Sequence, residues 1–260
     1  MKFAVIFVIF VAFHFCRGLD IECNFIQYNW YGLGEKYICS AELEEEIEVL
    51  RRSLSKVIRI SGRHYGNRND EDVLGVVISG QTTFGIVRNF KEFFPNMDQL
   101  YVIRSKLKFL YRSDFKGYKA LKALSLSRNH LSHLPYDAFN ELTNLKYFDI
   151  SFNQLTQMPN ISAMKKLISL YLHENSIESL TKVDLSNNLD LKGIWLYNNN
   201  LKYIQASAFE QLHNVRFVDL IHNNCINMAR IYYNPQPFYN AINAKCSKRP
   251  NEDNEIEILF

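Results

Sequence analysis

A motif that recurs about every 24 residues through the middle of the chain restricts the fold more than any other feature. Aligning Leu121, Leu145, Leu167, Leu191 and Val215 gives steps of 24, 22, 24 and 24. In that register L-x-x-L-x-L-x-x-N-x-L reads Leu121, Leu124, Leu126, Asn129 and Leu131 in its first clear copy. The last copy reads Val215, Val218, Leu220, Asn223 and Cys225. Stepping back, Met97, Leu100, Val102, Ser105 and Leu107 form a fair copy with serine in place of asparagine, and a weaker one starts at Val73.

Each part of the motif has a physical cause. Positions four and six alternate as in a short strand, so both side chains enter one core. No single repeat buries its apolar face alone, so the strands stack into a parallel sheet. The asparagine at position nine stands where the chain leaves the strand. Its amide can bond buried backbone groups of the turn and of the next repeat, which predicts a ladder of Asn129, Asn153, Asn175, Asn199 and Asn223. Position nineteen supplies a second buried column: Phe115, Phe139, Leu185 and Phe209. The 22-residue repeat has no aromatic there, which predicts an irregularity near Met158 to Met164.

These residues resemble the leucine-rich repeat family in its extracellular form of about 24 residues. With a leader and terminal cysteines, the chain is similar to short secreted leucine-rich repeat proteins of insects. The resemblance implies an α/β fold, a right-handed solenoid or horseshoe with a concave parallel sheet and disulfide-bonded end caps. It also implies a function in binding other macromolecules.

The ends fit an exported chain. Met1 and Lys2 precede the apolar run Ala4 to Phe15, and Gly18 offers a small residue for cleavage, which reads as a signal peptide over 1–18. That run is shorter than the roughly 20 residues needed to span a bilayer. Cleavage removes Cys16 and leaves 28 basic against 27 acidic residues, so no global charge argument favours nucleic acid or anionic lipid, and no later apolar stretch is long enough for direct membrane insertion. Four cysteines remain and allow three pairings. They lie as two close pairs at opposite ends, favouring Cys23–Cys39 and Cys225–Cys246. The expected organisation is an N-terminal cap over 19–72, repeats over 73–224, a C-terminal cap over 225–250 and an acidic tail over 251–260. Within the first cap, Leu43, Ile47, Leu50 and Leu54 suggest a short helix or extended hairpin, and Val57 to Ile60 a strand joining the sheet.

No nucleophile elbow, phosphate loop, dinucleotide fingerprint or zinc-protease motif occurs. His130 and His133 lack a third ligand of suitable spacing, so neither a metal nor a cofactor is expected, and no catalytic residue is named. The outward positions three, five, seven and eight should form the concave face. There Tyr147, Tyr171, Trp195, Tyr197 and Phe217 gather on the last four strands, with Asp149, His173 and Asp219 among them. Exposed aromatic patches mark interaction sites, which predicts a ligand-binding face for an extracellular protein or receptor. The competing account has these rings packing only on one another. Arg104 and Arg128 stand one repeat apart at position eight and read most simply as solvated. Asn160-Ile-Ser162 is a glycosylation sequon away from that face. The alternative function is a secreted structural protein that self-associates.

Overall fold

The computed structural model describes residues 19–29, 34–43, 56–80, 86–231 and 236–248. The proposed leader 1–18, the acidic tail and most of the segment carrying Ile47, Leu50 and Leu54 lie outside the described residues.

Among the described residues, one sheet of eleven strands forms the spine. β1 (Leu19–Asn29) and β2 (Glu35–Leu43) pair antiparallel, and β3 (Val57–Ser61) lies parallel to β1 at the sheet edge. The repeat strands follow in parallel: β4 (Gly75–Ser79), β5 (Gln99–Ile103), β6 (Ala123–Ser125), β7 (Tyr147–Asp149) and β8 (Ser169–Tyr171). β9 (Ser179–Leu180) leaves this sheet and pairs with β11 (Tyr203–Ile204). The spine continues through β10 (Gly193–Trp195) and β12 (Phe217–Asp219), and β13 (Ala229–Ile231) closes it antiparallel. Each repeat copy contributes one strand; β1, β2, β3 and β13 extend the sheet at both ends. The fold is the leucine-rich repeat solenoid.

The repeat positions fall where the period places them. Positions one, four and six and the position-nineteen column are buried in one continuous core, with Phe115 and Phe139 at 5.6 Å and Phe139 edge-on to Phe148 at 5.0 Å. In the short repeat, Ile161 takes the place of the missing aromatic and the chain runs from Met158 to Ile161 without a helical turn. A groove of about 670 Å³ opens beside it, lined among others by Pro135, Tyr136, Asn160 and Val183.

The asparagine ladder binds backward rather than forward. Asn129 accepts from the backbone N–H groups of Ser105 and Leu107 at 2.9 and 3.1 Å, and donates to the carbonyls of Val102 and Leu126 at 2.7 and 2.9 Å. Its bonds thus reach the preceding coil, not the next. Asn153, Asn175, Asn199 and Asn223 repeat the geometry. Ser105 keeps a fragment of it, donating to Ile78 O at 3.4 Å in the coil before. Each ladder step therefore satisfies groups that the loose turn would otherwise bury unpaired.

The N-terminal end is a strand hairpin. Ala41 to Leu43 belong to β2, and the alternation of β1 places Leu19, Ile21, Cys23 and Phe25 in the core. The Cys23–Cys39 disulfide joins this hairpin across a Cα separation of 5.1 Å. At the other end Cys225 pairs with Cys246, and the helix Gln236–Lys245 lays Phe238 and Ile242 on the last coil.

Candidate functional site

Outward residues at one repeat position lie one strand spacing apart, about 4.8 Å, which is close to the stacking distance of flat rings. Across β8 and β10 two such stacks form. At position five Tyr171 lies on Trp195 at 4.3 Å and 14°, and at position seven His173 lies on Tyr197 at 4.4 Å and 14°. Phe217 extends the first stack, 5.4 Å from Trp195. Phe152 meets His173 edge-on at 5.2 Å, and the Arg128 guanidinium sits 3.9 Å above the Phe152 ring. A Cβ on Gly193 would meet the Trp195 indole, which lies back across its own strand, so any larger residue there would displace the ring from its place on Tyr171.

The eight residues expected on this face do not contribute alike. Trp195, Tyr197, Phe217 and Asp219 are half-buried and reach solvent. Tyr171 and His173 are buried by their neighbours, only 9% and 8% exposed, so the expectation of uniformly exposed rings is corrected by the stacking itself. Asp149 is 4% exposed; it accepts from Ser125 Oγ at 3.1 Å and from Ser151 Oγ and N at 2.6 and 3.0 Å, which leaves it little capacity for a partner. Tyr147 stands apart from the stacks. It packs against a separate outward cluster of Ile38, Val77, Tyr101 and Ala123, where Tyr28 and Tyr101 approach to 6.0 Å. The concave side is therefore apolar and filled toward the N-terminus, aromatic and acid-edged toward the C-terminus.

Position eight carries a constraint that residue types alone conceal. Arg104, Arg128, Phe152, Glu174, Asn198 and His222 all adopt φ between 52° and 57°. Left-handed backbone costs a non-glycine residue about 1–3 kcal/mol unless its surroundings hold it. Here each N–H from Arg104 to Asn198 donates to the position-seven carbonyl of the next coil, at 2.9 to 3.2 Å. That column turns Arg128 and Phe152, both at position eight, toward the His173 stack. Among the described residues the other histidines serve structure or meet solvent: His64 stacks on Phe25 and bonds Asp70, while His130, His133, His213 and His222 are exposed. Among the described residues no group of three His, Cys, Asp or Glu side chains could hold a metal ion.

His173 gives the face a pH response. Burial pushes its imidazole below the ordinary value of 6.5, against the pull of the Asp149 and Glu174 carboxylates and with a push from Arg128. Its Nδ1 is buried without a hydrogen-bond partner among the described residues. The unfolded chain takes up this proton near pH 6.5, the folded chain only at lower pH. Stability therefore falls as pH drops below about 6.5 and levels off once the folded imidazole is protonated. Urea midpoints at about pH 7.5 and pH 5 should show a smaller difference for His173→Gln than for the parent. An unchanged difference would assign the pH response to other groups.

This geometry defines the class by its fold: a leucine-rich repeat scaffold with its distinctive side chains on the inner sheet. The leucine rich repeat family matches residues 95–155. The chain is similar to the leucine-rich repeat-containing G-protein coupled receptor 5 of Rattus norvegicus, 29% identical over 110 residues, covering 42% of this chain and 12% of the receptor. It is 33% identical over 108 residues to podocan-like protein 1 of Homo sapiens, covering 40% and 21% of the two chains. Epiphycan of Homo sapiens shows 24% identity over 153 residues, covering 59% and 45%. This chain thus spans less than half the length of these relatives. Among solved structures, a chain of the Toll–Spatzle complex from Drosophila superposes with a TM-score of 0.53 at 20% identity, covering 65% of this chain and 27% of that one. The likeness shows the fold. No helix among the described residues is long and apolar enough to cross a membrane.

Proposed function

We propose that the protein is a secreted recognition module that binds an extracellular protein through the C-terminal half of its concave face. The observation that carries this reading is the pair of ring stacks, Tyr171 on Trp195 and His173 on Tyr197, which fixes two large half-exposed rings beside Asp219. Rings already held in place lose little freedom on binding, and Trp and Tyr dominate the energetics of interfaces for that reason. The same scaffold occurs in the Toll–Spatzle complex, which supports its use in assembly with a partner. The leader-like N-terminus and the paired cysteines support export.

The test is a screen of the multimerised chain against extracellular proteins, followed by affinity measurement. Trp195→Ala is expected to weaken binding to the captured partner by at least about 2 kcal/mol, about 30-fold. Unchanged affinity in a folded variant removes the concave face from the interface. Capture of the chain by itself alone, with concentration-dependent oligomers, replaces this reading with a structural one.

Asn160 is proposed to carry an N-linked glycan. It lies in the groove of the short repeat, where its Nδ2 donates to Tyr136 O at 2.9 Å and its Oδ1 accepts from Ser162 N at 3.1 Å. A glycosylated amide keeps one N–H, so the bond to Tyr136 survives attachment and the sugar leaves the concave face clear. Glycosidase treatment of the protein made in insect cells should shift its mobility, and Asn160→Gln should abolish the shift. Absence of a shift in the parent counts against occupancy.

A further inference from the structure

The near-neutral net charge conceals a segregation. Position two, just before each strand, carries Lys122, Lys146, Lys192 and Arg216 in four of five consecutive coils. The backbone locks this column in register: Lys146 N donates to Lys122 O, Ile168 N to Lys146 O, Lys192 N to Ile168 O and Arg216 N to Lys192 O, each at 2.8 Å. Where Ile168 interrupts the column, Lys165 and Lys166, both exposed, stand just ahead of Leu167 where that coil begins. The result is at least one cation per coil across five coils, a row about 19 Å long at one strand spacing per step.

Acids are sparse along the row. Lys122 pairs with Asp98 at 2.8 Å, and Asp190 is the other acid close to the column in sequence. Asp149 and Asp219 close their strands and Glu174 follows β8, at the opposite strand end from position two. Lys166 Nζ donates to Asn144 Oδ1 at 2.6 Å, and a groove of about 330 Å³ runs between Lys122, Lys146 and Lys166.

We propose that this rim binds a linear sulfated polysaccharide. A straight row of cations on a fixed backbone suits a chain whose anionic groups project at regular intervals, and its open shape suits a ligand without a buried end. Nucleic acid suits it less: among the described residues none of the large, well-exposed aromatics, Tyr65, Phe109, Tyr111 and Tyr136, lies at the rim positions, so unpaired bases would find no stacking platform there. The site is independent of the aromatic face, because it lies on the edge of the sheet from which the strands start.

The probe is heparin, applied to the full chain over a salt series. Four contacts with released counterions give a slope of log affinity against log salt near −3, about 50-fold weaker binding at about 0.2 M than at about 0.05 M. The variant K146Q/K166Q/K192Q/R216Q should lose retention at about 0.15 M salt and flatten that slope while melting normally. K106Q/K108Q/K182Q, which removes the same kind of charge away from the rim, should bind as the parent does. Failure of the parent to bind, equal loss in both variants, or equal binding of desulfated heparin or duplex DNA would overturn the proposal.

Discussion

Asn129→Ala lowers the unfolding free energy by about 3–5 kcal/mol, the largest effect expected from any single polar side chain here. Asn129 is 4% exposed and bonds two backbone N–H groups and the carbonyls of two coils. Alanine fills none of those roles, and each buried group left unpaired costs about 1–3 kcal/mol. The carbonyls keep a second lone pair, so the sum stays below the arithmetic maximum. Asn129→Asp separates the two halves of the ladder. The carboxylate still accepts from Ser105 and Leu107 but faces two carbonyls it cannot bond. That variant should be as damaged as alanine at neutral pH and partly recover on acidification, as burial holds the carboxyl's folded pKa above its unfolded value. Asn224→Ala, on the exposed side of the last coil, should change stability by less than about 0.5 kcal/mol in urea unfolding. If Asn129→Ala matched that control, the ladder would carry no structural weight.

The second large effect belongs to the C-terminal bridge. Replacing Cys225 and Cys246 by alanine should cost about 3 kcal/mol, the loop-entropy value for a closure of 21 residues. The loss should be local as well as global, because each coil of a solenoid contacts only its neighbours. Cys246 O accepts from Ile204 N at 2.9 Å, and Phe238 meets Phe209 edge-on at 5.4 Å, so the bridge holds the covering helix against the last two coils. Hydrogen exchange at Ile204 and at the backbone amide of position 225 should accelerate strongly while Leu124 and Leu126, several coils away, keep their protection. Uniform acceleration along the chain would mean that the bridge stabilises the array as one cooperative unit instead.

Much of the fold is readable from the sequence because its causes are local. The alternation of positions four and six belongs to one short strand, and the 24-residue step repeats the same burial problem until the core closes. The first strand lies outside the repeat register, and the sequence points there only to a cysteine cap, although Leu19, Ile21, Cys23 and Phe25 alternate with polar residues from Asp20 to Asn24. The left-handed column at position eight is not readable from residue type: Asn198 and His222 tolerate that backbone, but arginine, phenylalanine and glutamate at the same position have no preference for it. It exists because the next coil offers a carbonyl to the N–H groups from Arg104 to Asn198.

The face shows where sequence and tertiary structure divide the work. Period alone determined that Tyr171, His173, Trp195 and Tyr197 point outward from the sheet. It could not determine which of them meets solvent, because exposure depends on the coil next door. Parallel strands at about 4.8 Å bring equal positions to ring-stacking distance, so Trp195 covers Tyr171 and Tyr197 covers His173. In-register stacking likewise turned scattered lysines, 24 or 46 residues apart in the chain, into one straight row. A repeating sequence fixes the direction of each side chain, whereas the packing of successive coils decides what that side chain touches.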